Sequence, residues 1–128
     1  MILVDSSIWI DHLRANDQEL TALLNRGQVL VHGFVVGELA LGNLHRRGEI
    51  LRLLGELPQA VVATESEVLH FIDANRLHGL GIGYIDAHLL ASTRLSADAR
   101  LWTRDKRLHA VAVKLSLASS LYPARIAR

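Results

Sequence analysis

The sequence predicts an α/β fold, a parallel five-stranded sheet flanked by helices. Short apolar runs recur along the chain, each followed by a stretch of helical periodicity. The first run, Met1-Ile2-Leu3-Val4, has no polar alternation, which suits a strand buried on both faces. Half of the 128 residues are apolar, enough for one domain, residues 1–128, with a real core.

The elements follow in order. After Val4, Asp5-Ser6-Ser7 lead into a helical pattern carried by Ile8, Trp9 and Leu13. Asn16 and Glu19 have capping-box spacing for a second helix whose stripe is Leu20, Leu23 and Leu24, closed by Gly27. Gln28 to Val31 reads as the second strand. Helices are expected from Phe34 to Asn43 and from Arg46 to Leu57, the latter ended by Pro58. Ala60 to Ala63 reads as the third strand. Thr64 and Glu67 form a capping box for a helix with Val68, Leu69, Ile72 and Leu77 on its apolar face and Gly79 just past its end. The loop Leu80-Gly81-Ile82-Gly83 admits a helix from Tyr84 to about Leu95. Arg100 to Thr103 is the fourth strand, and a short helix around Asp105 to His109 leads to a last strand near Val111 to Lys114. Trp9 and Trp102 sit in core-packing segments, so burial is expected of both. The tail from Ser119 to Arg128 is polar and basic and is expected to be poorly ordered.

Composition narrows the function classes. Cysteine is absent, which excludes disulfides and thiolate metal sites. No apolar run approaches the roughly 18 residues that span a bilayer, and the first strand begins at once, with no basic leader. A cytoplasmic protein with no membrane partner is expected. Net charge is +1, yet all but Lys106 and Lys114 of the 14 basic residues are arginine. That bias favours bidentate contact with phosphates or carboxylates, although an arginine-leaning codon usage gives the same count. None of the seven histidines has a His-x-x-x-His partner, so zinc is not indicated.

Four carboxylates stand out. Asp5 ends the first strand, where open α/β sheets bind ligands; a plain helix cap is an equal reading for Asp5 alone. Glu38 lies among Phe34, Val35, Val36, Gly37, Leu39, Ala40 and Leu41, and a carboxylate in so apolar a segment calls for a partner or a metal, unless it points out through a thin polar stripe. Asp86 falls in the first turn of its helix, which the macrodipole alone would also favour. Asp105 follows the fourth strand as Asp5 follows the first. The strength is in the set: four carboxylates at one edge of a parallel sheet raise one another's pKa values unless divalent cations neutralise them. Oxygen-only ligands suit Mg²⁺ or Mn²⁺.

Val4-Asp5-Ser6-Ser7, Gly37-Glu38-Leu39-Ala40-Leu41-Gly42, Tyr84-Ile85-Asp86-Ala87 and Leu101-Trp102-Thr103-Arg104-Asp105, in this order and spacing, resemble the PIN-domain ribonucleases and, within them, the VapC toxins of bacterial toxin–antitoxin pairs. The resemblance runs over essentially the whole chain. It implies a sheet order 3-2-1-4-5 and an acidic catalytic cluster of Asp5, Glu38, Asp86 and Asp105, with Mg²⁺ bridging Asp5 and Asp86. The remaining two acids would act as inner ligands, Asp105 among the metal set, or through water. Ser6 and Thr103 match positions whose hydroxyls support the metal site. The implied activity is Mg²⁺-dependent endonucleolytic cleavage of RNA, tRNA among the candidate substrates, by a homodimer held in check by a VapB-type antitoxin.

Three basic residues around Asp105, namely Arg104, Lys106 and Arg107, are candidates for holding RNA phosphates, or simply a solvated turn. An antitoxin groove is expected between the two central helices, with Leu44, Leu51 and Leu54 as apolar contacts and Arg46 and Arg47 at its edge. Two other classes fit less well. A haloacid-dehalogenase-like phosphatase would carry a second Asp where Ser7 stands. A non-catalytic RNA- or protein-binding module has no reason to keep all four acids.

Overall fold

The computed structural model describes residues 1–121. At its centre is β1 (Ile2–Val4), flanked by β2 (Val29–Leu30) and β3 (Arg100–Trp102) in the order β2-β1-β3, both pairings parallel. Ile2 pairs with Val29 and Val4 with Trp102, so the ends of β1 and β3 lie level. The sheet therefore has three strands among the described residues, and not the five expected.

The outer two positions are reduced to single parallel bridges, Val31 with Gln59 and Leu101 with Ala118. On the first flank, Val31 N–H donates to Pro58 O and Ala60 N–H to Val31 O, both at 2.9 Å. The next amide, Val61, turns away and donates to the Ser96 hydroxyl, which ends the pairing. On the other flank, Val111 to Lys114 is helical. Leu108, Val111 and Ala112, at helical spacing, are all buried on α7 (Lys106–Lys114). Pairing resumes only beyond Ser116, at φ 60°, where Leu101 exchanges bonds with Leu117 and Ser119. Ser119 is consequently buried and Leu121 packs on the core, contrary to the loose tail expected there; the rest of that tail lies outside the described residues.

Among the described residues, seven helices cover the sheet. In chain order the remaining six are α1 (Ser6–Ala15), α2 (Gln18–Asn25), α3 (Gly33–Ala40), α4 (Arg47–Glu56), α5 (Glu65–Ala74) and α6 (Tyr84–Leu95). The Thr64–Glu67 capping box of α5 forms as expected. The one expected of Asn16 and Glu19 does not: Asn16 takes a left-handed φ of 47°, and Asp17 caps α2 by accepting from Glu19 and Leu20 N–H. Leu69, expected on the buried face of α5, is half-exposed at 51%.

The core gathers Leu3, Val4, Ile8, Leu20, Leu89, Leu101 and Leu108 around the sheet, all fully buried. Each such side chain contributes roughly 1.5–3 kcal/mol of transfer free energy. Trp102 is fully buried and Trp9 nearly so, which gives both the packing role expected of them. In α6 every residue from Ala87 to Thr93 is buried, so this helix runs through the interior and reaches the surface at its first turn and at Arg94 and Leu95.

Candidate active site

Asp5 leaves β1 buried, 7% exposed, and both its oxygens are engaged. Oδ1 accepts from Ser6 N–H at 2.8 Å and so caps α1. Oδ2 accepts from the Thr103 hydroxyl at 2.6 Å and the Ser7 hydroxyl at 3.1 Å. The same Thr103 oxygen accepts from Asp105 N–H, and Ser7 Oγ accepts from Arg104 N–H, each at 3.1 Å. Two hydroxyls thus stitch the β1–α1 junction to the β3–α7 junction and fix the Asp5 carboxylate between them. Parallel pairing in level register is what brings the junctions together. Ser7 is a residue that sequence reasoning passed over.

The other three acids each hang on a helix. Asp86 Oδ2 accepts from Gly83 N–H at 3.0 Å at the start of α6. Asp105 caps α7 by accepting from Leu108 N–H. Glu38 lies on α3 and is largely exposed, not sunk among the apolar residues that surround it in sequence. The buried face of α3 is Val35 and Leu39, four apart, and Glu38 flanks that face at its edge, where its carboxylate reaches solvent. The helix is aimed by His32, a fully buried imidazole whose Nδ1 accepts from Phe34 N–H at 3.0 Å and caps α3. With Nδ1 accepting, Nε2 carries the proton and donates to Ser92 Oγ on α6 at 3.0 Å. His32 therefore ties the helix bearing Glu38 to the helix bearing Asp86. It too was missed, since its partner is 60 residues away.

Electrostatics place the four acids in one neighbourhood. Partial burial and the charges of Asp5 and Asp86 push the Glu38 carboxyl above its ordinary value, against the Ser6 hydroxyl, which pulls it down. Burial likewise raises Asp86, opposed by the Gly83 N–H and reinforced by Asp5 and Asp105. Among the described residues, no three His, Cys, Asp or Glu side chains stand close enough to enclose an ion. The acids sense one another's charge without forming a closed ligand shell.

A family model for the PIN domain matches residues 2–114, nearly the entire described chain. The chain belongs to the PIN domain family. Two curated proteins of Mycobacterium tuberculosis, from strains CDC 1551 / Oshkosh and ATCC 25618 / H37Rv, are each named Ribonuclease VapC32. Both are 48% identical to this PIN domain over 118 residues, 92% of this chain and 95% of theirs. The resemblance read from the four short motifs is thereby borne out.

Around the acids of this PIN domain, the three basic candidates part company. Arg104 is drawn inward: its guanidinium pairs with Asp11 and, at 2.6 Å, with Asp17, and lies over the Trp102 ring. It braces the β3–α7 turn against α1 and the start of α2. Lys106 and Arg107 remain exposed, with the Arg107 stem lying along Gly81 in the loop that opens α6. The residues expected to line a groove between α3 and α4 are also divided. Leu54 is a core residue, 3% exposed, and Leu51 packs against the core. Arg47 donates to Ala40 O at the end of α3, while Arg46 sits outside, at a left-handed φ of 54°. A groove of about 430 Å³ instead runs between α1 and the α3–α4 turn, lined by Ile10, Leu13, Arg14, Leu44 and His45 and reaching Glu38. No helix of the described residues is long and apolar enough to cross a membrane.

Proposed function

We propose that this PIN domain is a Mg²⁺-dependent endoribonuclease of the VapC type, the toxin of a pair with a VapB-type antitoxin. The observation that carries the reading is the mutual charge coupling of Asp5, Glu38, Asp86 and Asp105. Glu38 and Asp86, raised by burial and then by neighbouring carboxylate charge, would be relieved by a cation, and an all-oxygen donor set fits Mg²⁺, with Mn²⁺ as its substitute. Asp5, Asp86 and Asp105 would hold the ion, with Glu38 beside them.

A bound ion of this kind supplies an acidified water and neutralises charge on the phosphoryl oxygens. The chain's own contribution is preorganisation. Thr103 and Ser7 fix the Asp5 carboxylate, Gly83 N–H holds Asp86 and Leu108 N–H holds Asp105, so each is already anchored at the edge where an ion would draw them together. Ser6 serves Glu38, which stands on the rim where it can accept a proton from solvent or substrate. Lys106 and Arg107, being free at the surface, are the phosphate contacts of this scheme; Arg104 positions their turn and touches no RNA.

The antitoxin lies in the groove between α1 and the α3–α4 turn, which leads to Glu38, so an occupant would sit at the mouth of the acidic site. The whole chain acts as one such domain, as a homodimer, in the cytoplasm where its RNA substrates, tRNA among them, are found. The relatives named Ribonuclease VapC32 support the reaction class. The test is incubation of the purified chain with total tRNA and with single-stranded RNA, with Mg²⁺ and with excess EDTA. Mg²⁺-dependent fragments from the unaltered chain and none from Asp86→Asn are expected; the same fragments from both proteins would overturn the assignment.

A further inference from the structure

Two large rings stand in water beside the acids. Phe34 is 39% exposed and Tyr84 47% exposed. They lie in the first turns of α3 and α6, the helices that carry Glu38 and Asp86. Between them His88, only 4% exposed, packs edge to face with both, its centroid 4.6 Å from Phe34 and 4.7 Å from Tyr84. The Nδ1 of His88 is buried with no hydrogen-bond partner, so it braces the rings at the expense of an unsatisfied polar atom.

The surface next to Phe34 is bare. Phe34, Gly37 and Glu38 share one face of α3 by their spacing. A Cβ at Gly37 would meet nothing within 4 Å, and its backbone is helical. Neither packing nor backbone conformation asks for glycine there, although glycine weakens a helix relative to alanine. What glycine leaves is an open strip along the flank of Phe34.

We propose that Phe34 and Tyr84, braced by His88 and cleared by Gly37, form a stacking platform for one nucleobase of single-stranded RNA next to the cleaved bond. The inference rests on the ribonuclease reading and names how that site holds its substrate. The platform adjoins the acidic cluster directly, Phe34 being one helical turn from Glu38, roughly 6 Å along the axis. Carboxylates repel a phosphate but not the flat, uncharged face of a base, so the base is the part of a nucleotide that this surface takes. Unpaired bases stack on such rings whatever their identity, which makes the platform a reader of single-strandedness more than of sequence.

The experiment uses the full chain and a single-stranded RNA that it cuts in Mg²⁺, carrying 2-aminopurine at successive positions around the cleaved bond. With Asp5→Asn as the non-cleaving host, quenching is expected at one position adjacent to that bond. Adding Phe34→Leu or Tyr84→Leu should relieve the quenching and weaken RNA binding about tenfold. In the cleaving chain the same changes should raise KM more than they lower kcat. Gly37→Gln provides a variant that cannot act by unfolding: it favours the helix, so Tm should hold or rise, while its side chain covers the strip and weakens binding. Unchanged quenching and KM in folded Phe34→Leu and Tyr84→Leu, or full RNA affinity in Gly37→Gln, would overturn the platform. Absence of any cleavage by the unaltered chain would overturn the ribonuclease reading, and this inference with it.

Discussion

Asp5 caps α1 with one oxygen and accepts from the Thr103 and Ser7 hydroxyls with the other, so the helix cap read in the sequence is present and is compatible with the proposed site role. The division can be tested by substitution. Asp5→Asn keeps an Oδ1 acceptor for Ser6 N–H, and the hydroxyls of Ser7 and Thr103 can rotate to accept from the new amide. Its stability, from urea denaturation, should stay within about 1 kcal/mol of the unaltered chain, while RNA cleavage is lost. Asp5→Ala removes the cap and should cost about 1–2 kcal/mol more. A large loss of stability in Asp5→Asn with cleavage retained would make Asp5 structural alone. Asp5 and Asp105 drew notice as the ends of apolar runs, Asp86 as a helix start and Glu38 as a carboxylate within an apolar segment. Ser7 and His32 did not, because their partners across the fold lie 97 and 60 residues away and nothing local marks them. Arg104 misled for the same reason: a guanidinium beside an acid looks like a phosphate contact until Asp11 and Asp17 arrive from another element.

At the scale of elements, local signals were read well and ambiguous ones were not. Thr64 and Glu67 cap α5 within four residues of sequence, so the box was visible. At the start of α2 the cap slipped by one residue, because the backbone reversal at Asn16 leaves Asp17 facing the free amides. Val111 to Lys114 fits a short buried strand and a helix equally; Leu108 at helical spacing decides for the helix once its burial is known. The cap of α3 makes a pH prediction. Burial, then the charge of His88, lowers the His32 pKa below its ordinary 6.5. Protonation would set an Nδ1–H against Phe34 N–H. A depressed value means stability is present above pH 6.5 and lost as pH falls below it. His88 and His109, also lowered by burial, act in the same direction. Urea denaturation at pH 7.5 and 5.5 should show a smaller acid loss in His32→Asn, which keeps the cap without the titration; an equal loss would remove His32 from the account.

For the molecule as a whole, the parallel α/β sheet and the meeting of its acids at one edge were readable from the order of runs and helices. The sheet's width was not. Its flanks are set by single events, Val61 turning to Ser96 and the reversal at Ser116, that leave no periodic trace. The same packing buries Leu54, expected at the partner surface. Leu54→Ala should cost about 2–5 kcal/mol of stability, as a core truncation. Ile10→Glu, in the groove that reaches Glu38, should leave stability nearly unchanged and weaken antitoxin binding at least tenfold by titration calorimetry. Unaltered affinity in Ile10→Glu would place the antitoxin elsewhere. Asp5, Glu38, Asp86 and Asp105 are proposed to make one cation site that cuts RNA. This proposal is tested most directly by following Tm and RNA cleavage together through one Mg²⁺ titration of the unaltered chain and of Asp86→Asn. Linkage predicts a rise in the unaltered chain equivalent to about 2.7 kcal/mol at a hundredfold excess over Kd. Cleavage should appear over the same concentrations and vanish in EDTA, and Asp86→Asn should show neither response. Cleavage undiminished in excess EDTA, or an identical Tm rise in Asp86→Asn, would contradict it.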